Sequence, residues 1–471
     1  ADPGERLTVA VVGVKVSTKA GADGRWTVQL PALKAGGPFE MVISGKNRIT
    51  LADIMVGEVW LCSGQSNMWW PVGKLDPIPE NEKPADDPGL RLYSVWSPEN
   101  DAFGEKPAWT PCTVGDLREF TAVGYYFGRM LRRELGVTVG LIHSSMGGSL
   151  PESWMKRVTL EKDPRFRPIV EFWDSLAAAH PDSRKLFDRW LGELAKAKLS
   201  GSELPADPPI LFLSKPYRYY MRHPQICRDA QLAPLVPFGI RGVIWFQGES
   251  STSRSWQYRT LFPAMIHEWR ADWNRNDLPF YYVQIANMAG GAENPERPSS
   301  RMEIREAQLM ALSVPNTGMA VTIDIGDPKN VHFNSKWVVG RRLALIALAR
   351  DYGRKAEYSG PVFKSSARDG STMRLRFDHA EGLAASGGGA LEGFVVAGSD
   401  RVFRKAGARI EGDAVVVSSP DVKEPAAVRY AWDDDPKANL VNRAGLPASP
   451  FRTDSWPGLT DGVTRPLPWE L

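Results

Sequence analysis

Residues 56–68 read VGEVWLCSGQSNM, an apolar run that ends in serine and glycine and passes directly into a helical pattern. This order is typical of a βα unit, in which a buried strand is followed by a helix. Five such apolar runs occur along the chain, at residues 59–62, 137–143, 242–246, 280–285 and 319–325. Amphipathic patterns predict helices at 120–135, 261–273 and 335–350. The sequence therefore predicts an α/β fold around a five-stranded parallel sheet.

Both ends of the chain have the shorter alternating pattern of antiparallel strands. The candidate strands lie at residues 9–14, 26–30 and 41–43, and again at 373–377, 393–397, 410–417 and 427–432. Residues 156–206 interrupt the α/β rhythm with helical patterns at 169–178 and 182–198, and we interpret them as an insertion that serves as a lid, a dimer contact or a brace. The predicted organisation is a β domain at 1–56, an α/β domain at 57–355 and a β domain with a tail at 356–471.

Charge and composition exclude several classes of partner. The 471 residues include 58 Lys and Arg against 55 Asp and Glu, and a net charge of +3 is too small to indicate binding to nucleic acid or to an anionic membrane. No apolar run approaches the roughly 18 residues of a membrane-spanning helix, and residues 1–5 show no signal-peptide pattern. The three cysteines have no metal-ligand spacing. We therefore expect a small or uncharged partner and no metal or other cofactor.

Polar residues cluster where the predicted strands end, which is where open parallel sheets bind ligands. Ser66 follows the first strand and opens a helix, so that the backbone N–H groups and the positive helix end there favour an oxyanion; alternatively, Ser66 is only a helix cap. Gly147 and Gly148 follow the second strand and either expose backbone amides or form a flexible turn. Gln247 follows the third strand, where its side-chain amide completes an oxyanion hole with the amides of Ser66 and one glycine, or lies in a surface turn.

His332 is the candidate base among six histidines. It comes after the last predicted strand and just before a helix, from which position it is expected to reach Ser66. Asp324 or Asp327 lies close by in sequence to orient its ring. The order Ser, Asp, His is one in which catalytic triads occur.

Several motifs resemble the sialate O-acetylesterase-type carbohydrate esterases, members of the SGNH hydrolases. They lie at residues 64–68, 245–250, 305–308, 315–319, 324–332, 428–432 and 445–454. The resemblance covers nearly the whole chain and implies a flavodoxin-like three-layer domain flanked by small β domains. It also implies removal of acetyl groups from sugar hydroxyls without a metal, and a periplasmic or extracellular location. Under this resemblance Ser66 is the nucleophile of an acyl-enzyme mechanism and His332 is its base.

The chain departs from the usual family pattern around both motifs. Ser251 stands where the family has Asn, Asn330 stands where it has an Asp two residues before the histidine, and Phe333 stands where it has Pro. In many SGNH hydrolases the orienting Asp is three residues before the histidine, which is Lys329 here. The third member of the triad is therefore Asp327, or a backbone carbonyl near Lys329 or Asn330 that leaves a Ser-His dyad.

The remaining candidates support the site or bind the sugar. Glu249 and Asn67 are expected to buttress it through hydrogen bonds. Trp69 and Trp70 follow the nucleophile, and at least one is expected to stack on a pyranose ring. The substrate is either sialic acid, whose carboxylate needs a cation, or a neutral acetylated hemicellulose such as xylan. The candidate cations are Arg222, Arg228 and Arg254. The alternatives are a catalytically silent carbohydrate-binding protein and a lipase or thioesterase.

Overall fold

The computed structural model describes residues 1–95, 108–179, 222–289 and 300–466, together with Arg189 and Glu193. The chain begins with a four-stranded antiparallel sheet of order β2-β1-β3-β4, formed by β1 (Arg6–Val11), β2 (Val14–Lys19), β3 (Gly36–Ser44) and β4 (Arg48–Val56). The prediction of a strand at 26–30 is wrong. In spite of its alternating sequence, this segment forms no ladder with a neighbouring strand.

The central sheet has seven strands rather than the expected five. Its strands are β5 (Glu58–Gly64), β6 (Asp87–Ser94), β7 (Thr110–Cys112), β8 (Val139–Ser145), β9 (Gly242–Phe246), β10 (Phe280–Val283) and β11 (Thr317–Ala320), in the order β11-β10-β9-β5-β8-β6-β7. All five predicted strands are present and pair in parallel, but β10 ends at Val283 and β11 at Ala320, so residues 321–325 of the last predicted strand lie outside it. In addition, β6 is a sixth parallel strand and β7 an antiparallel edge. The sequence of β6 alternates, as in Leu90, Arg91 and Leu92, and so has no continuous apolar run that would predict a buried strand.

Strand β5 lies between β8 and β9. The strands that follow it in sequence are first added on one side of it (β6, β7 and β8) and then on the other (β9, β10 and β11). This reversal of strand order is a topological switch point, and it opens a crevice at the carboxyl end of β5. The residues that follow β5, β8 and β9 therefore meet at one rim.

Helices cover both faces of this sheet. They are α1 (Ser66–Trp69), α2 (Val114–Leu117), α3 (Ala122–Leu135), α4 (Arg157–Lys162), α5 (Arg167–Ala179), α6 (Ser255–Asp272), α7 (Ser300–Met310) and α8 (Lys336–Arg350). α3 and α8 pack on one face, whereas α5, α6 and α7 pack on the other. The predicted helices at 120–135, 261–273, 335–350 and 169–178 are confirmed, although α6 begins six residues earlier than expected. The predicted helix at 182–198 lies outside the continuously described residues.

The described part of the insertion packs against the core. Three side chains on one face of α5, Ile169, Val170 and Trp173, are buried in the same apolar cluster as Trp154 and Trp269. At least this half of the insertion therefore stabilises the α/β core.

Three further sheets follow α8. Their strands are β12 (Val362–Asp369), β13 (Thr372–Asp378), β14 (Ala384–Ala385), β15 (Phe394–Ala397), β16 (Arg404–Lys405), β17 (Gly407–Glu411), β18 (Ala414–Ser418), β19 (Ala427–Tyr430), β20 (Leu440–Val441) and β21 (Phe451–Arg452). The sheets have the orders β12-β13-β18-β17, β16-β15-β19-β21 and β14-β20. The single strand predicted at 410–417 is a hairpin, because Gly412, with φ +66°, turns the chain between β17 and β18.

Arg305 on α7 joins these β sheets to the central sheet. Its side chain is fully buried, and it donates to the carbonyls of Ile285 and Ala286 after β10 at 3.0 and 2.7 Å. The same guanidinium donates to the carbonyls of Asp433 and Asp434 at 2.8 and 3.0 Å. One side chain therefore satisfies four backbone groups from two parts of the fold.

Replacing Arg305 by Met is expected to lower the free energy of unfolding by about 3 kcal/mol, because buried carbonyls would lose their donors. Urea unfolding measures the loss. Arg25→Met is the control, since the Arg25 side chain is 91% exposed and its loss is expected to change stability by less than about 0.5 kcal/mol. Equal stabilities of the two variants would contradict the bridging role.

No helix in the described segments is both long and apolar enough to cross a membrane. Cys62, Cys112 and Cys227 are all buried, and none of them forms a disulfide with another. Among the described residues, no group of three or more His, Cys, Asp or Glu side chains is placed to hold a metal ion.

Candidate active site

The backbone turn after β5 requires glycine. Gly64 has φ +138°, and a Cβ at this position would lie 2.1 Å from the carbonyl oxygen of Phe246 on β9. The next amide, of Gln65, donates to that same carbonyl at 2.8 Å. This close approach of two strand ends places Ser66 at the start of α1, half-buried at the rim of the sheet.

The helix that Ser66 opens, α1, is a single turn of four residues. Its macrodipole is correspondingly small, so its first amides are the useful feature. The amides of Met68 and Trp69 donate to the carbonyl of Gln65. Those of Ser66 and Asn67 have no helical acceptor because they come first in the helix.

The structure brings the Ser66 turn and the His332 loop together. The Asn67 side chain donates to the carbonyl of Val331 at 3.1 Å, which joins the residue after Ser66 to the residue before His332. The Trp70 ring stacks on the His332 ring, with centroids 4.3 Å apart and planes at 17°. In the described structure Ser66 Oγ and the His332 ring do not hydrogen-bond to each other, as is common in ligand-free active sites.

His332 is held as a neutral imidazole. Burial, together with the charges of Lys336 and Lys74, lowers its pKa to about 4. Its Nε2 is buried and has no hydrogen-bond partner among the described residues. A neutral, unpartnered imidazole nitrogen is able to accept a proton.

Neither candidate acid contacts the His332 ring in the described parts of the chain. The Asp327 carboxylate accepts from the Lys329 amide at 2.8 Å, and the Asp324 carboxylate is paired with both terminal nitrogens of Arg342 at 2.7 and 2.6 Å. Asn330 shapes the loop instead, because its Oδ1 accepts from the His332 amide at 2.9 Å.

The glycine loop after β8 is tied to the nucleophile turn. Gly148 has φ +72°, and the Met146 amide donates to the carbonyl of Gly64 at 3.0 Å. Gln247, fully buried, braces this loop: its Nε2 donates to the carbonyl of Ser149 at 3.2 Å and to Ser251 Oγ at 2.8 Å. Both amide hydrogens of Gln247 are therefore used within the protein, which favours bracing over direct donation to a substrate.

Glu249 and Asn67 are in contact, and Lys336, which lies outside the predicted site residues, joins them. The Asn67 side chain donates to Glu249 and accepts from Lys336, which is 0% exposed. The signal available in the sequence was a lysine in the first turn of a helix without an acidic residue, a position that the helix dipole disfavours for a cation.

The two tryptophans after the nucleophile are both half-buried. One face of Trp70 is covered by His332, so Trp69 is the better candidate for stacking on a sugar. The ammonium of the exposed Lys74 lies 4.4 Å from the Trp69 ring centroid and 5.1 Å from that of Trp70. The Lys74 cation therefore lies over the rings of this tryptophan pair.

Two of the three arginines considered for a substrate carboxylate are engaged elsewhere. Arg254 pairs with Glu152 at 2.5 Å, with both side chains buried, and Arg228 pairs with Asp272 at 2.8 Å. Arg222 opens the described segment 222–289 and has contacts of its own. Lys74 therefore replaces Arg228 and Arg254 as the candidate cation.

Comparison with known proteins shows which family this chain resembles. Residues 214–349 match the carbohydrate esterase family of sialic acid-specific acetylesterases. The mouse sialate O-acetylesterase (Mus musculus) is 29% identical over 411 residues, which cover 77% of this chain and 71% of the mouse protein. The human sialate O-acetylesterase (Homo sapiens) is 28% identical over 399 residues, covering 76% of this chain and 68% of the human protein.

A solved structure is similar over nearly the whole chain. It is a carbohydrate acetylesterase from Xanthomonas citri with 37% identity and a TM-score of 0.78, and the match covers 97% of this chain and 94% of that protein. Because the match covers nearly all of both proteins, it includes the flanking β sheets as well as the α/β core. The chain therefore belongs to the sialate O-acetylesterase-type carbohydrate esterases, a family of carboxylic-ester hydrolases.

Proposed function

We propose that this protein removes acetyl groups from sugar hydroxyls through an acyl-enzyme on Ser66. The observation that carries the proposal is the contact between the Ser66 turn and the His332 loop, made by the Asn67 bond to Val331 and the stacking of Trp70 on His332. It brings a serine with no competing hydrogen bond in the described structure close to an imidazole that burial keeps neutral.

In this mechanism His332 removes the Ser66 proton while Oγ attacks the acetyl carbonyl. The amides of Ser66 and of Gly147 or Gly148 hold the oxyanion, with Gln247 fixing the glycine loop through Ser149. His332 then returns the proton to the departing sugar oxygen. In the second half His332 activates water, which releases acetate and restores Ser66.

We propose a Ser-His dyad in which Asp327 takes no direct part. Asp327→Asn is expected to lower kcat by less than tenfold, because the carboxylate contacts the Lys329 amide and not the imidazole. Steady-state acetate release measures this. A loss of about 10⁴-fold, as when the Asp of a true triad is replaced, would restore Asp327 as the third member.

Two substrate classes fit the site. Lys74 beside Trp69 suits the carboxylate of an O-acetylated sialic acid, whereas the tryptophans alone would suit a neutral acetylated xylan. Acetate release from the two substrates, measured side by side, decides between them. For the acidic sugar, Lys74→Met is expected to raise KM about tenfold by removing a paired charge, with little change for xylan. An unchanged KM for both would exclude Lys74 from recognition.

An acyl-chain series separates the proposed sugar esterase from the alternatives. The hydrolysis rate of a carbohydrate esterase is expected to fall for acyl groups longer than acetyl or propionyl, whereas a lipase or thioesterase would prefer longer chains. A silent binding protein would release no acetate at all. We further propose an exported enzyme, on the family resemblance alone.

A further inference from the structure

Lys336 is a fully buried lysine in apolar surroundings. Its ammonium lies 3.7 Å from the ring centroid of Phe333 and 5.5 Å from that of Phe246. Phe333 occupies the position where the family usually has Pro, so this chain provides an aromatic face for the cation. Burial lowers the pKa of Lys336 to about 7, and the charge of Glu249 acts in the opposite direction. A buried cation persists only where its contacts compensate for lost hydration.

Asn67 connects Lys336 to the reacting segments. The orientation of its amide is fixed by chemistry, because an ammonium only donates and a carboxylate only accepts. Its Oδ1 therefore faces Lys336, and its Nδ2 faces Glu249 and the carbonyl of Val331. A single side-chain amide thus links helix α8, the turn after β9 and the His332 loop to the residue next to Ser66.

We propose that Lys336 is a positioning residue, which fixes Asn67 and through it the placement of Ser66 relative to His332. This inference rests on the proposed function, since the placement matters only if these two residues react. In the described structure no hydrogen bond joins Lys336 to either of these residues. Without the hydrogen bond from Lys336, Asn67 Oδ1 would lose its donor, and the amide that ties the Ser66 turn to the Val331 carbonyl would keep only its bonds to Glu249 and Val331.

Lys336 also acts on His332 through charge. The charged groups around the imidazole are Lys336 on α8 and Lys74 on the turn after α1, both of which lower its pKa. Glu249 faces Lys336 through Asn67, and Asp327 lies on the His332 loop without touching the ring. Removing Lys336 takes away a nearby positive charge, so the pKa of His332 rises and the imidazole becomes protonated at a higher pH.

The test compares Lys336→Met with the double variant Lys336→Met/Glu249→Gln. The single variant leaves the half-buried Glu249 carboxylate without its nearby cation. The double variant removes that imbalance and serves if the single one does not fold. Acetate release is measured against pH for each, with thermal unfolding to verify folding and Ser66→Ala beside them. We expect kcat of the folded variants to fall about 100-fold with KM changed less than threefold. The acidic limb of kcat/KM is expected to move up by about half a pH unit or more.

The outcomes separate this inference from the proposed function. Activity that survives in Ser66→Ala would overturn the function, whatever Lys336 does. If Ser66→Ala is inactive while the folded Lys336 variants keep kcat within about threefold of wild type, only the role of Lys336 is overturned. A fall in kcat with an unmoved acidic limb would also overturn it, because general loosening of the fold changes the rate without changing the charge near His332.

Discussion

Ser66→Ala is expected to lower kcat for acetate release by about 10⁴-fold or more, since no other described hydroxyl occupies the start of α1 beside the His332 loop. The loss is expected in kcat rather than KM, because the hydroxyl reacts and does not hold the sugar. The dissociation constant of the substrate, measured by calorimetry with the inactive variant, is expected to lie within about threefold of the wild-type KM.

Ser63→Ala is the matched control. Ser63 lies three residues earlier on β5, and its buried hydroxyl has no hydrogen-bond partner in the described structure. Its removal is expected to change kcat by less than about threefold, since no bond is lost. A large loss in both variants would indicate damage to the strand end, and activity retained in Ser66→Ala would rule out the nucleophile.

His332→Ala is expected to lower kcat by a similar factor, about 10⁴-fold or more, because Ser66 and His332 act in the same step and loss of either residue stops it. The double variant Ser66→Ala/His332→Ala is therefore expected to be no slower than either single one. His267→Ala is the control, since that side chain is exposed on α6. Additive losses in the double variant would show that the two residues act in separate steps.

The pH dependence of the wild-type enzyme follows from the same imidazole. His332 works as a base only when neutral, and its pKa is lowered to about 4 from its usual 6.5. We therefore expect kcat/KM to stay level down to about pH 5 and to fall below it, as protonation removes the base. A limb near pH 6.5 in kcat/KM, which reports the free enzyme, would contradict the buried placement of His332.

The parallel sheet and the main site motifs could be predicted from sequence because each has a local signal. Five apolar runs followed by small or polar residues mark β5, β8, β9, β10 and β11, and the residues after them converge because parallel strands share a carboxyl edge. The histidine after the last strand belongs to the same edge. These inferences need only the order of elements and not their packing.

The other features depend on contacts between distant residues. The β6 strand is defined by its pairing with β8, and residues 26–30 have a strand pattern without a partner strand. The two hydrogens of Gln247 are directed to Ser149 and Ser251, which no local pattern reveals. Lys336 resembled an ordinary helix-face lysine, and only the fold shows that it is buried against Asn67.

Labelling with an activated organophosphate, followed by peptide mass spectrometry, shows whether Ser66 is a nucleophile activated by His332. Such a reagent reacts with a serine only where a neighbouring base activates it. We predict one stoichiometric adduct, on the peptide that contains Ser66, with loss of activity in proportion to labelling and very slow labelling of His332→Ala. Stoichiometric inactivation with the adduct on another residue would rule out Ser66 as the nucleophile, and labelling that is equally fast without His332 would rule out His332 as its base.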